Sequence, residues 1–135
     1  MNGARFKRML SMIAAFAMAA TSADAATVKI LALGTSLTQG LGVPPGLDLT
    51  AVLETRLKAS GLDVKFINAG VSGDTSAGGL ARLDWSLADR PQAAIIELGS
   101  NDALRGQAPA ETERNLAAIL TRLKSAHVAV LLTGM

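Results

Sequence analysis

Four short apolar runs, each separated from the next by a stretch long enough for a helix, constrain this chain more than any other feature. They are Val28 to Leu33, Val64 to Ile67, Ala93 to Leu98 and Val128 to Leu132. Each is bounded by turn residues, as a buried strand is. Between them the period changes. Asp48 to Ser60 places Leu53 and Leu57 on one helical face, with Gly61 as its stop. A second helical stretch is expected around Leu80 to Leu87 and is broken by Arg90-Pro91. A third starts at Pro109, where the missing N–H costs nothing, and runs to about Lys124 with Leu116, Ile119, Leu120 and Leu123 buried. Strands alternating with helices give right-handed crossovers and a parallel sheet covered on both faces. The fold class expected is therefore α/β. With half the residues hydrophobic and 3% aromatic, the core must be built from Ala, Val, Leu and Ile.

A sequence pI of 9.4 suggests a nucleic-acid partner, but the position of the charge argues against it. Arg5, Lys7 and Arg8 precede the apolar run Met9 to Ala20, which leads to Ala23-Asp24-Ala25. A basic start, an apolar stretch and a small-x-small site read as a secretory signal peptide. The run is too short for a membrane span, which needs about 20 residues. Cleavage is expected after Ala25, giving a leader over 1–25, a single domain over 26–135, and a periplasmic or secreted product with no stable span. Taking three basic residues and one acidic residue from thirteen and eleven leaves ten of each. A neutral remainder offers no electrostatic footprint for phosphate backbones. The sequence has no cysteine and one histidine, so thiol chemistry is excluded and no metal or other cofactor is expected.

In a parallel sheet, ligands bind beyond the carboxyl ends of the strands. Three polar, glycine-bearing segments follow the first three runs. In Gly34-Thr35-Ser36-Leu37, a Ser at a sharp strand-to-helix turn projects its hydroxyl toward a cleft, by the logic of a nucleophile elbow. A Ser there also serves as a helix N-cap. In Gly70-Val71-Ser72-Gly73-Asp74-Thr75-Ser76, Gly73 can expose its backbone N–H, or the segment is a tight turn followed by a Thr or Ser cap. In Glu97-Leu98-Gly99-Ser100-Asn101-Asp102, Asn101 supplies an amide donor to the cleft, or an Asx-turn. Asp74 and Asp102 read better as turn and cap groups than as activators of a hydroxyl.

Together these segments, with Gly79-Leu80-Ala81-Arg82-Leu83 and Ala103-Leu104-Arg105-Gly106, resemble the first three sequence blocks of the SGNH (GDSL-type) serine hydrolases. The similarity is to the secreted thioesterase I/lysophospholipase and arylesterase branch, and it runs from Ile30 to Leu132. It implies a three-layer sandwich on a flavodoxin-like sheet. It also implies hydrolysis of acyl esters, acyl thioesters or lysophospholipids through a serine acyl-enzyme. Ser36 would be the nucleophile. The N–H groups of Ser36 and Gly73 and the Asn101 amide would form the oxyanion hole. Leu104, Arg105 and Gly106 would line the substrate edge. No oligomeric state is implied.

Two positions depart from the family pattern. Thr35 stands where the family usually has Asp, whose expected work is to fix the turn by hydrogen bonding, which a Thr hydroxyl can do in part. The family's Asp-x-x-His block, which supplies the base and its orienting carboxylate, is not among these residues. His127 precedes the fourth run, at the far end of the sheet from Ser36, roughly 16–17 Å away along a five-residue strand. The sequence therefore reads as an incomplete copy lacking the last strand and helix, with an exposed apolar edge at Val128 to Leu132 and poor solubility expected. The alternatives are a catalytically inactive fragment and a non-enzymatic, flavodoxin-like small-molecule binder. The Gly34 to Gly40 segment lacks the Lys and the glycine spacing of a phosphate loop.

Overall fold

The computed structural model describes residues 26–134. The expected leader over 1–25 lies outside them. The described elements are β1 (Val28–Gly34), α1 (Ser36–Gln39), α2 (Leu49–Ala59), β2 (Val64–Gly70), α3 (Ser76–Ala81), α4 (Leu83–Ser86), β3 (Ala93–Glu97), α5 (Ser100–Leu104), α6 (Pro109–Ser125) and β4 (Ala129–Leu132). The four strands form one sheet in the order β2-β1-β3-β4, and every pairing is parallel.

The alternation of side chains along β1 explains the layers. Leu31 and Leu33 join Ala94, Ile96, Leu83, Ile119 and Leu123 on one face, under α3, α4 and α6. Ile30 and Ala32 join Val64 and Phe66 on the other, where α2 brings down Leu53 and Leu57. A strand segment buried on both faces has to be apolar, as β1 is from Ile30 onward, while Lys29 at its start is exposed. The face that α2 covers stays open toward β4. Leu53, Leu57, Phe66, Ile95 and Leu131 line an apolar groove there of about 430 Å³. No helix among the described residues is long and apolar enough to cross a membrane.

The helix ends follow their sequence signals. Asp48 caps α2, accepting from Thr50 N at 3.0 Å and Ala51 N at 3.1 Å. The Thr50 hydroxyl, then the Ala51 N–H, hold its carboxyl below the usual aspartate range. Glu54 of α2 accepts from Phe66 N at 2.8 Å and so satisfies an amide of the edge strand β2. Lys58, and then that amide, hold Glu54 down at about 2. At the end of α6, His127 N donates to Lys124 O at 3.0 Å and Val128 N to Leu123 O at 2.9 Å. This is the Schellman closure, and it places His127 in the left-handed region at φ 57°. That conformation costs a non-glycine residue roughly 1–2 kcal/mol. His127→Gly is therefore expected to raise stability by about 0.5–1 kcal/mol after the extra chain entropy of glycine is subtracted. A urea midpoint checks this, and a lower midpoint would show that the imidazole stabilises the fold.

Two expectations need correction. The helix expected around Leu80 to Leu87 is two short helices, α3 and α4, meeting at Arg82. The first begins earlier because Thr75 caps it, its side chain accepting from Gly78 N at 3.2 Å. The second strand continues past Ile67 to Gly70. Its polar Asn68 is tolerated on an edge strand because the amide is used. Asn68 Nδ2 donates to Thr38 O at 2.9 Å and to Thr50 Oγ1 at 3.2 Å.

Candidate active site

The register puts three loop starts in one row. Gly34 pairs with Gly70 on one side and with Glu97 on the other. The chain passes from β1 to β2, then crosses back to β3, so the crevice between β1 and β3 is the topological switch point.

Ser36 leaves β1 at this row. Thr35, in extended conformation, is the N-cap of α1, and Ser36 is its first residue. The hydroxyl of Ser36 is therefore not spent on a cap. Among the described residues, neither its Oγ nor its N–H has a hydrogen-bond partner, and the residue is half-buried. Beneath it lies a carboxylate. Glu97 Oε2 accepts from Thr35 N at 2.9 Å and Thr38 Oγ1 at 3.0 Å, and both Glu97 oxygens lie 2.9 Å from Thr35 Oγ1. The Thr35 hydroxyl thus supplies the turn-fixing hydrogen bond expected of it. A Cβ on Gly34 would lie 2.0 Å from Thr38 Oγ1 and 2.7 Å from Glu97 Oε2, so this crossing requires glycine.

The second loop packs directly on α1. Val71 N donates to Gly34 O at 3.0 Å, and Ser72 N to the Gln39 side chain at 2.7 Å. Asp74 N closes a turn onto Val71 O at 3.1 Å, with Gly73 at φ 78°. Few residues other than glycine hold that angle cheaply. Among the described residues the Gly73 N–H is also without a partner. The segment is thus a tight turn followed by a Thr cap.

The third loop grips the second. Asn101 stands in the first turn of α5 rather than in an Asx-turn, and its Nδ2 donates to Asp74 O at 2.8 Å. One of its two N–H bonds is thereby used to hold the neighbouring loop. Arg105 Nη2 donates to Gly73 O at 2.6 Å. Leu104 and Gly106 are exposed beside it.

The profile of the GDSL-like lipase/acylhydrolase family fits residues 32–135. The chain belongs to the GDSL-like lipase/acylhydrolase family. Esterase TesA of Pseudomonas aeruginosa is 40% identical over 129 residues, covering 95% of this chain and 64% of that protein. Thioesterase 1/protease 1/lysophospholipase L1 of Escherichia coli K12 is 37% identical over 118 residues, covering 87% of this chain and 55% of that protein. AlinE4, an SGNH-hydrolase family esterase, superposes with a TM-score of 0.78 at 47% identity, covering 81% of this chain and 59% of its own. The chain thus spans about three-fifths of the length of these relatives.

Within this family domain, two arginine and carboxylate contacts carry what the sequence reading did not foresee. Arg82 Nε pairs with Asp74 Oδ2 at 2.7 Å, Nη1 donates to Ala69 O at 2.7 Å and Nη2 to Gly34 O at 3.1 Å. One guanidinium so ties the ends of β1 and β2 to the Gly73 loop. Asp102, beside Asn101, is buried and accepts from Ser76 N at 2.8 Å, Ser76 Oγ at 2.5 Å and Thr112 Oγ1 at 3.2 Å. Burial pushes its carboxyl up, but the Ser76 and Thr112 hydrogen bonds outweigh it and leave it below the ordinary 3.8. Asp74 and Asp102 are thus spent on structural hydrogen bonds, Asp74 locally to Thr75 N and to Arg82, and Asp102 at long range to Ser76 and Thr112. His127 belongs to neither group. Ile30, Ala93 and Ala129 share a row, so His127 lies before that row and Ser36 six residues beyond it. At 3.3 Å per residue the two are roughly 20 Å or more apart, whereas a general base must approach to about 3 Å.

Proposed function

We propose that these residues carry the nucleophile and oxyanion half of an acyl ester or thioester hydrolase, with lysophospholipids among its substrates. Ser36 Oγ attacks the acyl carbonyl and is acylated as the alcohol or thiol leaves. The N–H groups of Ser36 and Gly73 and the remaining N–H of Asn101 receive the oxyanion. Removing one such donor typically costs about 10²–10³ in rate. Leu104, Arg105 and Gly106 edge the substrate. The base and its orienting carboxylate come from outside these 135 residues, because His127 is placed at the wrong end of the sheet. Residues 1–25 act as the export leader of a periplasmic or secreted product, a reading supported by their charge and hydropathy alone.

The observation that supports this most is the Ser36 hydroxyl, half-buried and unpartnered among the described residues, at the β1–β3 switch point. The test is acylation by p-nitrophenyl butyrate in imidazole buffer, with imidazole standing in for the base, followed by intact mass. An acyl adduct is expected on the wild-type chain and none on Ser36→Ala. No adduct, or an adduct that survives the substitution, overturns the nucleophile assignment. Rapid turnover without imidazole that depends on Ser36 overturns the external base.

A further inference from the structure

Glu97 ends β3, and its side chain crosses the end of β1 instead of turning to solvent. Its carboxylate accepts from Thr35 N, Thr35 Oγ1 and Thr38 Oγ1, all at 2.9–3.0 Å. Thr35 and Thr38 are 1% and 2% exposed and Glu97 is half-buried, so the donors of these bonds are shielded from water. The donors lie on both sides of Ser36 in the chain: the residue before it, and the second residue after it. One carboxylate therefore holds the Ser36 turn at both ends. All three partners can donate, which suits a group that can only accept. Bonds of this kind are stronger than neutral ones and fix direction as well as distance.

We infer that Glu97 is a positioning residue for Ser36, fixing the first turn of α1 and with it the direction of the Ser36 hydroxyl and N–H. The inference rests on the reading of Ser36 as the nucleophile, and it gives Glu97 no contact with substrate. Gln at this position has one accepting oxygen, and its NH₂ would face donors. Val at 35 keeps the volume of Thr and loses its hydroxyl, whereas Ser keeps the hydroxyl.

The test compares wild type, Thr35→Ser, Thr35→Val and Glu97→Gln. Acylation by p-nitrophenyl butyrate in imidazole is followed against ester concentration, and amide exchange is followed by NMR. Misplacing a reacting group by about 1 Å can cost about 10²-fold, so Thr35→Val and Glu97→Gln are expected to lower the maximal acylation rate about 10- to 100-fold. The half-saturating concentration should change little, and Thr35→Ser should stay near wild type. The Gln39 and Gly40 amides, bonded to Thr35 O at 2.9 Å and Ser36 O at 3.0 Å, should exchange faster in the two impaired variants. The Val128 amide, bonded at the far end of the sheet, should not. A wild-type maximal rate in folded Thr35→Val and Glu97→Gln overturns the inference, as does equal damage from Thr35→Ser and Thr35→Val. Should Glu97→Gln fail to fold, the two Thr35 variants decide. If wild type is not acylated, the nucleophile reading falls, and the exchange data still judge Glu97: unchanged Gln39 and Gly40 amides in Thr35→Val remove its hold on the turn.

Discussion

Gly70→Ala is expected to destabilise this domain by about 3 kcal/mol or more, the range of a forced overpacking that cannot relax. A Cβ built on Gly70 would lie 2.1 Å from Gln39 N, 2.6 Å from Gln39 Cα and 2.7 Å from Thr38 C. All three are backbone atoms, so no side chain can rotate to make room. The helix α1 must lift away, or the end of β2 must part from β1. The first movement breaks the Ser72 contact to Gln39, and the second breaks the ladder pair Gly34–Gly70 and the Val71 bond to Gly34 O. Either way Ser36 and Gly73 separate. Gly42→Ala is the control: its added methyl meets nothing within 4 Å, and it bears only a left-handed backbone cost of about 1 kcal/mol. Urea unfolding of the two variants against wild type measures the difference. A Gly70→Ala midpoint as high as that of Gly42→Ala would show that α1 does not sit against β2 as described.

The polar loops could be read from the sequence because each follows an apolar run, and their common rim follows from parallel connectivity alone. The helix over Leu49–Ala59 was legible nearly to the residue because Asp48 and Gly61 mark its ends. Pro109 did the same for α6. The division of α3 from α4 was not legible, since it turns on Arg82 leaving the helical path while its guanidinium bonds to Ala69 O and Gly34 O. Those bonds span 13 and 48 positions along the chain, and no local pattern announces them. Glu97 was hidden for the same reason. Its partner Thr35 is 62 positions away, and only the register Gly34–Glu97 brings them together. Local periodicity therefore places the elements and the rim. The hydrogen bonds that stiffen the rim depend on register, which periodicity does not fix. For Asn101 an amide donor to the cleft and an Asx-turn are the local readings, and neither announces the bond by which its Nδ2 holds Asp74 O, 27 positions away.

Asp102 extends this coupling to stability. Its side chain is 3% exposed, and the Ser76 side of its network is fully buried. Asp102→Ala would strand the Ser76 N–H and the Thr112 hydroxyl, and leave Ser76 Oγ with Asn115 Nδ2 at 3.0 Å as its remaining partner. The Ser76 N–H and hydroxyl are buried donors that cost about 1–3 kcal/mol each when stranded, with a smaller addition from half-buried Thr112, so a loss of about 3 kcal/mol or more is expected. Asp102→Asn keeps the size but turns an NH₂ toward these donors, and about 2 kcal/mol is expected. The pH dependence has a definite sign. The folded carboxyl lies below its ordinary 3.8, so the unfolded chain binds the proton more readily. The stability this group contributes is therefore complete above about pH 4 and is lost as pH falls through the folded value. Asp102→Asn should flatten that acid limb without abolishing it, because Glu54, held at about 2, and Asp48 titrate in the same direction. Urea midpoints from pH 7 down to pH 3 measure the limb. An acid limb of wild-type steepness in Asp102→Asn would show that the carboxylate is not held by Ser76 and Thr112. Because Asn101 precedes Asp102 in the same helical turn, the variant should also slow acylation of Ser36 under conditions where it remains folded. That would link the buried carboxylate of Asp102 to the turn that carries Asn101 and its bond to Asp74 O.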